Sequence, residues 1–243
     1  MKRNHIAGIG IAIALLTTTL VSCESYIAPA IRGTGPTVQA DLIMDPFVGF
    51  VSAIAANIFI TQGEDQLVTV KAQDNIIDNL CLEVVNGTWI IRYEVPVIHA
   101  DPVTIYITVP RLEQVGLSGS GNITGTTPFT ESNVLDLAIS GSGIIELESV
   151  SRSLEILLSG SGSFKLKGGT EDCFIRISGS GSINAFDLAT EEAEVIISGS
   201  GNSYLAVSDF LKVLISGSGS VYYKSNPVVD ATISGSGRVV KDF

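Results

Sequence analysis

The sequence predicts an all-β fold, a β-solenoid of seven Ser-Gly-Ser-Gly rungs preceded by a strand-rich N-terminal section. Three observations lead there. The tetrapeptide starts at Ser118, Ser140, Ser159, Ser178, Ser198, Ser216 and Ser234, at intervals of 22, 19, 19, 20, 18 and 18 residues, a spacing too regular for a flexible linker. Apolar and polar residues alternate on both sides of the copies, the period-2 signature of an extended chain with one buried face. The composition, with 45% hydrophobic against 16% charged residues, excludes disorder, and 25 Gly without a three-residue period exclude collagen.

At the N-terminus, Lys2 and Arg3 precede an apolar run from Ile6 to Leu20, too short for a comfortable membrane span and of signal-peptide length. Leu20-Val21-Ser22-Cys23 has the form of a bacterial lipobox. Residues 1–22 are therefore expected to be removed as a signal peptide (lipobox 20–23), leaving Cys23 as the lipidated first residue; the rival reading is an ordinary signal peptide with a chance Cys. Pro29, Gly33, Gly35 and Pro36 interrupt a stretch without periodicity, so residues 23–44 read as a tether. Losing Lys2 and Arg3 leaves 12 Lys+Arg against 25 Asp+Glu, or −13. Affinity for a nucleic-acid backbone needs clustered cations, so no nucleic-acid partner is expected.

The N-terminal β section covers 45–117. Ile54–Thr61 and Leu67–Ala72 read as strands around Gln62–Asp65; Leu80–Val85 and Thr88–Glu94 flank Asn86-Gly87, a type I′ hairpin signal; Val103–Val109 alternates as well. Ile54-Ala55-Ala56-Asn57-Ile58 sets small residues between isoleucines, as Ile-Ser-Gly-Ser-Gly does, and reads as a decayed copy of the motif.

The repeat section covers 118–243. Before each copy stand Leu117, Ile139, Leu158, Ile177, Ile197, Ile215 and Ile233, and two residues earlier Val115, Leu137, Ile156, Ile175, Val195, Val213 and Ala231. Two residues after each copy the alternation continues with Ile123, Ile145, Phe164, Ile183, Ser203, Val221 and Val239, of which only Ser203 is polar. Successive side chains of a strand face opposite ways, so parity assigns each residue a side. It places Gly119, Gly121, Gly141, Gly143, Gly160, Gly162, Gly179, Gly181, Gly199, Gly201, Gly217, Gly219, Gly235 and Gly237 inward, at a bend where a Cβ has no room. It leaves Ser118, Ser120, Ser140, Ser142, Ser159, Ser161, Ser178, Ser180, Ser198, Ser200, Ser216, Ser218, Ser234 and Ser236 in two outward columns. Length varies in the connection between copies, from Thr126–Val134 down to Ala206–Phe210, which is where a solenoid tolerates insertion. A single copy cannot bury its apolar stripe, so the copies stack; about 4.8 Å per rung gives the seven tetrapeptides a span of roughly 29 Å. A sandwich of stacked hairpins is the rival architecture.

The lipobox, the stretch Val68–Asp78, the turn Val84-Val85-Asn86-Gly87 and the serial Ile-Ser-Gly-Ser-Gly copies resemble the DUF2807 family of Bacteroidetes lipoproteins, the putative auto-transporter adhesin head GIN domain, over roughly residues 45 to 243. The resemblance implies a β-solenoid-like fold in the cell envelope and raises binding over catalysis without naming a ligand.

Catalytic chemistry finds little footing. His99 is the one histidine beyond the signal peptide, reads as a solvated surface residue near Asp101, and no Gly-x-Ser-x-Gly elbow accompanies the serines. With only His99, Cys81 and Cys173 available as soft ligands no zinc is expected, and no cofactor. Cys173 falls in the inward column and Cys81 on the opposite face from Leu80 and Leu82, so a bridge between them is not favoured. Asp74-Asn75 with Asp78 reads as a turn or cap rather than a calcium site, and the Gly-Ser-Gly copies lack the helix start of a phosphate cradle. An outward column reads Gln114, Asp136, Glu155, Phe174, Glu194, Lys212, Asp230. In it Asp136 and Glu155 lie one rung apart, about 5 Å, near the separation of a retaining glycosidase pair; scattered surface acids are the favoured reading, as Glu146 and Lys165 read as a surface pair. The serine columns read first as a structural ladder of mutually satisfied hydroxyls, second as a lattice for glycan or ice.

The expected protein is thus a cell-envelope lipoprotein of the outer membrane, in its periplasmic or its surface leaflet, holding the membrane through Cys23 and acting as a non-enzymatic module that binds glycan or an envelope protein, or scaffolds. A polysaccharide-cleaving enzyme using Asp136 and Glu155 is the alternative, and an ice or hydroxyl-lattice binder the next. A monomer is expected, its last rung guarded by Arg238 and Lys241.

Overall fold

The computed structural model describes residues 30–242, so the expected signal peptide over 1–22 and Cys23 lie outside the described residues. In chain order the elements are β1 Ile31–Arg32, β2 Thr37–Leu42, β3 Gly49–Ser52, β4 Ala56–Gln62, β5 Leu67–Gln73, helix α1 Asp74–Ile77, β6 Val84–Val85, β7 Thr88–Ile91, β8 Val97–His99 and β9 Val103–Val109. The repeat section follows with β10 Gln114–Gly119, β11 Asn122–Gly125, β12 Phe129–Gly141, β13 Ile144–Gly160, β14 Ser163–Gly179, β15 Ser182–Gly199, β16 Asn202–Gly217, β17 Ser220–Lys224, β18 Val228–Gly235 and β19 Arg238–Lys241.

The fold is the predicted β-solenoid. Successive copies pair in parallel and in register, Ser140 with Ser159, then Ser178, Ser198, Ser216 and Ser234. Each tetrapeptide is a sharp corner between two walls, a pre-corner face made by the strands leading into it and a post-corner face made by those leaving it. The register shifts fall away from this corner, as between Lys165 and Lys167 and between Ala185 and Ala189, so the variable edge lies opposite the straight one. Val115, Leu137, Ile156, Ile175, Val195 and Val213 line one inner wall and Ile123, Ile145, Phe164, Ile183 and Val221 the other, all buried, with Cys173 among them. Parallel strands covered on a face favour such β-branched columns, and each buried aliphatic contributes about 1.5–3 kcal/mol. Ser203 occupies the same inner column, fully buried, and its Oγ has no hydrogen-bond partner.

Residues 45–117 continue the same stack. β3 lies in register on β10 and β4 on β11, with Ser52 opposite Leu117 and Asn57 opposite Asn122, so residues 53–56 occupy a tetrapeptide's place; a decayed corner is there, two residues earlier than the match of Ile54–Ile58 to Ile-Ser-Gly-Ser-Gly placed it. The chain then passes beneath: β7 pairs with the other side of β3, and β9 with the other side of β4. The first rung in sequence is therefore the second in space.

Two expectations need correction. The tether read over 23–44 is ordered in its second part, where β1 pairs with β8 and β2 runs antiparallel to β5. Val38, Ala40 and Leu42 alternate on β2 and turn partly inward, a pattern obscured by the Gly and Pro before it. The strand expected over Leu80–Val85 shrinks to β6, because Leu80 and Cys81 turn into the core and the Cys81 carbonyl accepts the Trp89 indole N–H at 2.9 Å. Around them Phe47, Ile76, Ile77 and Trp89 are buried and close this end of the stack. Asp74 and Asn75 belong to the single turn of α1 and Asp78 is its C-cap, and the Asn75 side chain holds the N-terminal segment by donating to the Arg32 carbonyl at 2.7 Å and accepting from the Thr34 amide at 2.9 Å.

Candidate functional site

The corner is built from two glycines with different tasks. The first of each copy has positive φ: Gly119 142°, Gly141 147°, Gly160 118°, Gly179 131°, Gly199 130°, Gly217 131° and Gly235 121°. It is only half-buried up to Gly217, so the expectation that both glycines face inward holds for the second alone. A Cβ on Gly179 would lie 2.5 Å from the carbonyl oxygen of Gly160 in the rung below, so the obstruction is stacked backbone rather than core. The second glycine does face inward: a Cβ on Gly181 would meet the Gly162 carbonyl oxygen at 2.5 Å and Leu158 Cδ2 at 2.7 Å. The first-glycine carbonyls serve as acceptors across the corner. Gly160 O takes the amide of Ser180 at 2.9 Å and that of Gly181 at 3.0 Å, and Gly141 O takes Ser161 and Gly162, both at 2.9 Å.

Both serines of every copy are exposed along this edge. None of their hydroxyls makes a hydrogen bond to protein among the described residues. The reading of a ladder whose hydroxyls satisfy one another is therefore corrected: the positive φ between the two serines turns their side chains outward, and water or a ligand must be their partner.

Asp136 and Glu155 are in register on the outer pre-corner face, as the spacing implied. Asp136 Oδ1 is buried without a partner, and burial, then the charges of Glu155 and Glu113, push its carboxyl up to about 6. A shallow groove of about 430 Å³ lies at the variable edge, lined by Val150, Gly169, Ala189, Ala206, Glu171 and Glu191 among others; neither Asp136 nor Glu155 borders it. Glu146 and Lys165 form the expected exposed pair at 3.4 Å, matched by Lys212 and Glu194 at 2.9 Å. Such pairs are worth little individually. Cys81 and Cys173 are free and buried, and burial pushes the Cys173 thiol up to about 12, which makes it inert. His99 is exposed at the end of β8. Among the described residues no three His, Cys, Asp or Glu side chains come together as a metal site, and no helix is long and apolar enough to cross a membrane.

One feature escaped the sequence reading. On the outer post-corner face Tyr204 and Tyr222 stack with ring centroids 4.9 Å apart, Phe186 meets Tyr204 edge-on at 5.5 Å, and Lys224 Nζ sits 4.2 Å over Phe186. The signal was present in the column three residues after each tetrapeptide, which changes from Glu146, Lys165 and Asn184 to Tyr204 and Tyr222. The rings cover one another, so they tie the upper rungs together rather than offer an open stacking platform.

No curated protein matches this sequence. Solved structures do: one described as a putative adhesin from Bacteroides fragilis, at 21% identity and TM-score 0.81, covers 88% of this chain and 100% of its own. A putative lipid binding protein from Parabacteroides distasonis, at 23% identity and TM-score 0.72, also covers 88% of this chain and 100% of its own. A putative adhesin from Parabacteroides merdae, at 19% and 0.69, covers 89% and 100%. At these identities the likeness establishes the fold. The family described as putative auto-transporter adhesin, head GIN domain (DUF2807) matches residues 47–227, most of the chain, and with the register of the corners and the unbroken stack this chain belongs to that family.

Proposed function

We propose that the chain is a non-enzymatic binding module of the cell envelope, anchored in the outer membrane by a lipid on Cys23, with its serine edge as the contact surface for a glycan or an envelope protein. The observation that carries this reading is the row of exposed, unpartnered hydroxyls, two per rung in fixed register. Each replaces water on binding and contributes only about 0.5–1.5 kcal/mol, so affinity grows by repetition and favours a polymer over a small molecule. Membership of an adhesin-like family supports the same class of activity. The test is a glycan array and an envelope pull-down with the folded protein. Capture that weakens when the serines of several adjacent rungs are changed to Ala supports the reading, whereas blank arrays and pull-downs overturn it.

The carboxyl pair supports a second reading, because the Asp136 carboxyl, pushed up to about 6 beside Glu155, keeps its proton in mildly acidic conditions where an ordinary aspartate has lost it, as a general acid does. Release of reducing ends from an envelope polysaccharide, abolished by Asp136→Asn, would establish it in place of the first. Protease shaving of whole cells reports the leaflet.

A further inference from the structure

The exposed serines are the middle of a wider strip. On the pre-corner wall the first serine column is flanked by the outward column two residues before it, where Ala138, Leu157, Ile196 and Leu214 stand in register. All four keep some access to solvent, so this flank is apolar yet open. On the post-corner wall the second serine column is flanked by the outward column two residues after it, where Ser163, Ser182, Asn202 and Ser220 are in register and half-buried. Outward residues of a strand are about 7 Å apart and rungs about 4.8 Å. The strip is therefore four columns wide, mostly apolar along one margin and mostly hydroxyl or amide over the rest.

Charge is almost absent from it. In a chain of net charge −11, Arg176 and Arg238 are the two charged residues of the four columns over the seven rungs. Charges resume just outside, with Asp136, Glu155 and Glu194 in the next column of the pre-corner wall and Glu146 and Lys165 in the next of the post-corner wall. Toward the N-terminal section the hydroxyls stop, since exposed Ala53 and Ala55 stand below Ser118 and Ser120.

We propose that this strip binds an uncharged polysaccharide lying along the solenoid axis, its hydroxyls on the serine columns and the C–H faces of its rings on Leu157, Ile196 and Leu214. The proposal deepens the binding reading, on which it rests, by choosing glycan over protein and neutral over charged. A surface that repeats at every rung suits a ligand that also repeats, whereas a folded protein presents each of its side chains once. The bordering carboxylates repel an anionic polymer, and a cationic one would find its partners outside the strip rather than on it. A sugar ring carries hydroxyls at its rim and C–H groups on its faces, and the strip offers the same division between neighbouring columns.

Isothermal titration calorimetry of the full chain in detergent tests it, with dextran, galactomannan, xyloglucan and mannan as neutral probes and alginate as the anionic one. The expected result is binding of at least one neutral probe, unchanged within about twofold between about 0.05 and 0.5 M NaCl because no ion pair is screened. Leu157→Asp with Ile196→Asp should weaken that binding at least about tenfold. Should this pair disturb folding, Ser159→Ala, Ser178→Ala and Ser198→Ala together change only exposed hydroxyls, and should weaken it about fivefold with the melting temperature unchanged. Salt-sensitive affinity for alginate, or capture of an envelope protein through the serines while every neutral probe fails, would overturn the proposal and leave the binding reading standing. Failure of the neutral probes, alginate and envelope pull-down alike would overturn both. Neutral-probe binding indifferent to both sets of variants would overturn the placement on this strip.

Discussion

The corner of the repeat section and the corner at residues 53–56 carry out the same turn with different chemistry. In the repeat, Gly141 cannot take a side chain, since its Cβ would lie 2.4 Å from the carbonyl oxygen of Gly119 below. Gly119 itself has nothing within 4 Å of that position. Beneath it lies the corner of β3 and β4, where Ala56 carries a Cβ in the place of a second glycine and is still buried. Lower again, the chain between β7 and β9 spreads over residues 92–102 and leaves that Cβ its room. Glycine at the corner is thus a stacking requirement: it is strict where one tight corner rests on another and relaxes where the corner below is wide.

Five substitutions sharpen or break this contrast. Gly179→Val should have the largest effect, a loss of about 3 kcal/mol or more in urea melts, because strain at φ 131° adds to contact with the Gly160 carbonyl. Gly119→Val meets the φ strain alone and should lose about 1–2 kcal/mol; equal losses at the two sites would refute the stacking account. Asp136→Asn should raise stability at pH 7 by about 1 kcal/mol, less than its shift would give in full because the side chain keeps some access to water. The sign follows from linkage. Between pH 3.8 and about 6 the folded state keeps a proton the unfolded state has released, so this residue's stabilisation is complete below 3.8 and lost as pH rises through about 6. The gain from Asp136→Asn should therefore vanish at pH 3.5, and a pH-independent gain would rule this origin out. Ser203→Ala removes a buried hydroxyl without a partner and should stabilise by on the order of 0.5–1 kcal/mol, with Ser180→Val on the exposed edge changing less than that in either direction.

Parity explains why the repeat section was legible and the remainder less so. The interval and the alternation place Val195 in the wall and Ser198 outside it, because period-2 geometry ties each residue's side to its number. Parity does not tell which of two corner glycines faces the core, since the turn at Gly179 breaks the alternation locally. Nor does it order the rungs: β3 could stack on β7 or β10 equally well from its own pattern, and in fact it takes both. The unpartnered serine hydroxyls and the exposure of Ile233 depend on what lies beside them, which a single strand's sequence does not specify.

That interleaved first rung has a mechanical consequence. A force applied at the N-terminus does not peel the stack from its end. It first strips β1 from β8 and the Asn75 side chain, next unzips β2 from β5, and then reaches β3 and β4, which are clamped between β7 and β9 on one side and β10 and β11 on the other. Extracting them requires two parallel ladders on each wall to yield together, so the load is shared among many hydrogen bonds and the rate of forced unfolding is set by an inner rung. A module pulled between a membrane at one end and a ligand at the other would hold its shape through the very segment that enters it.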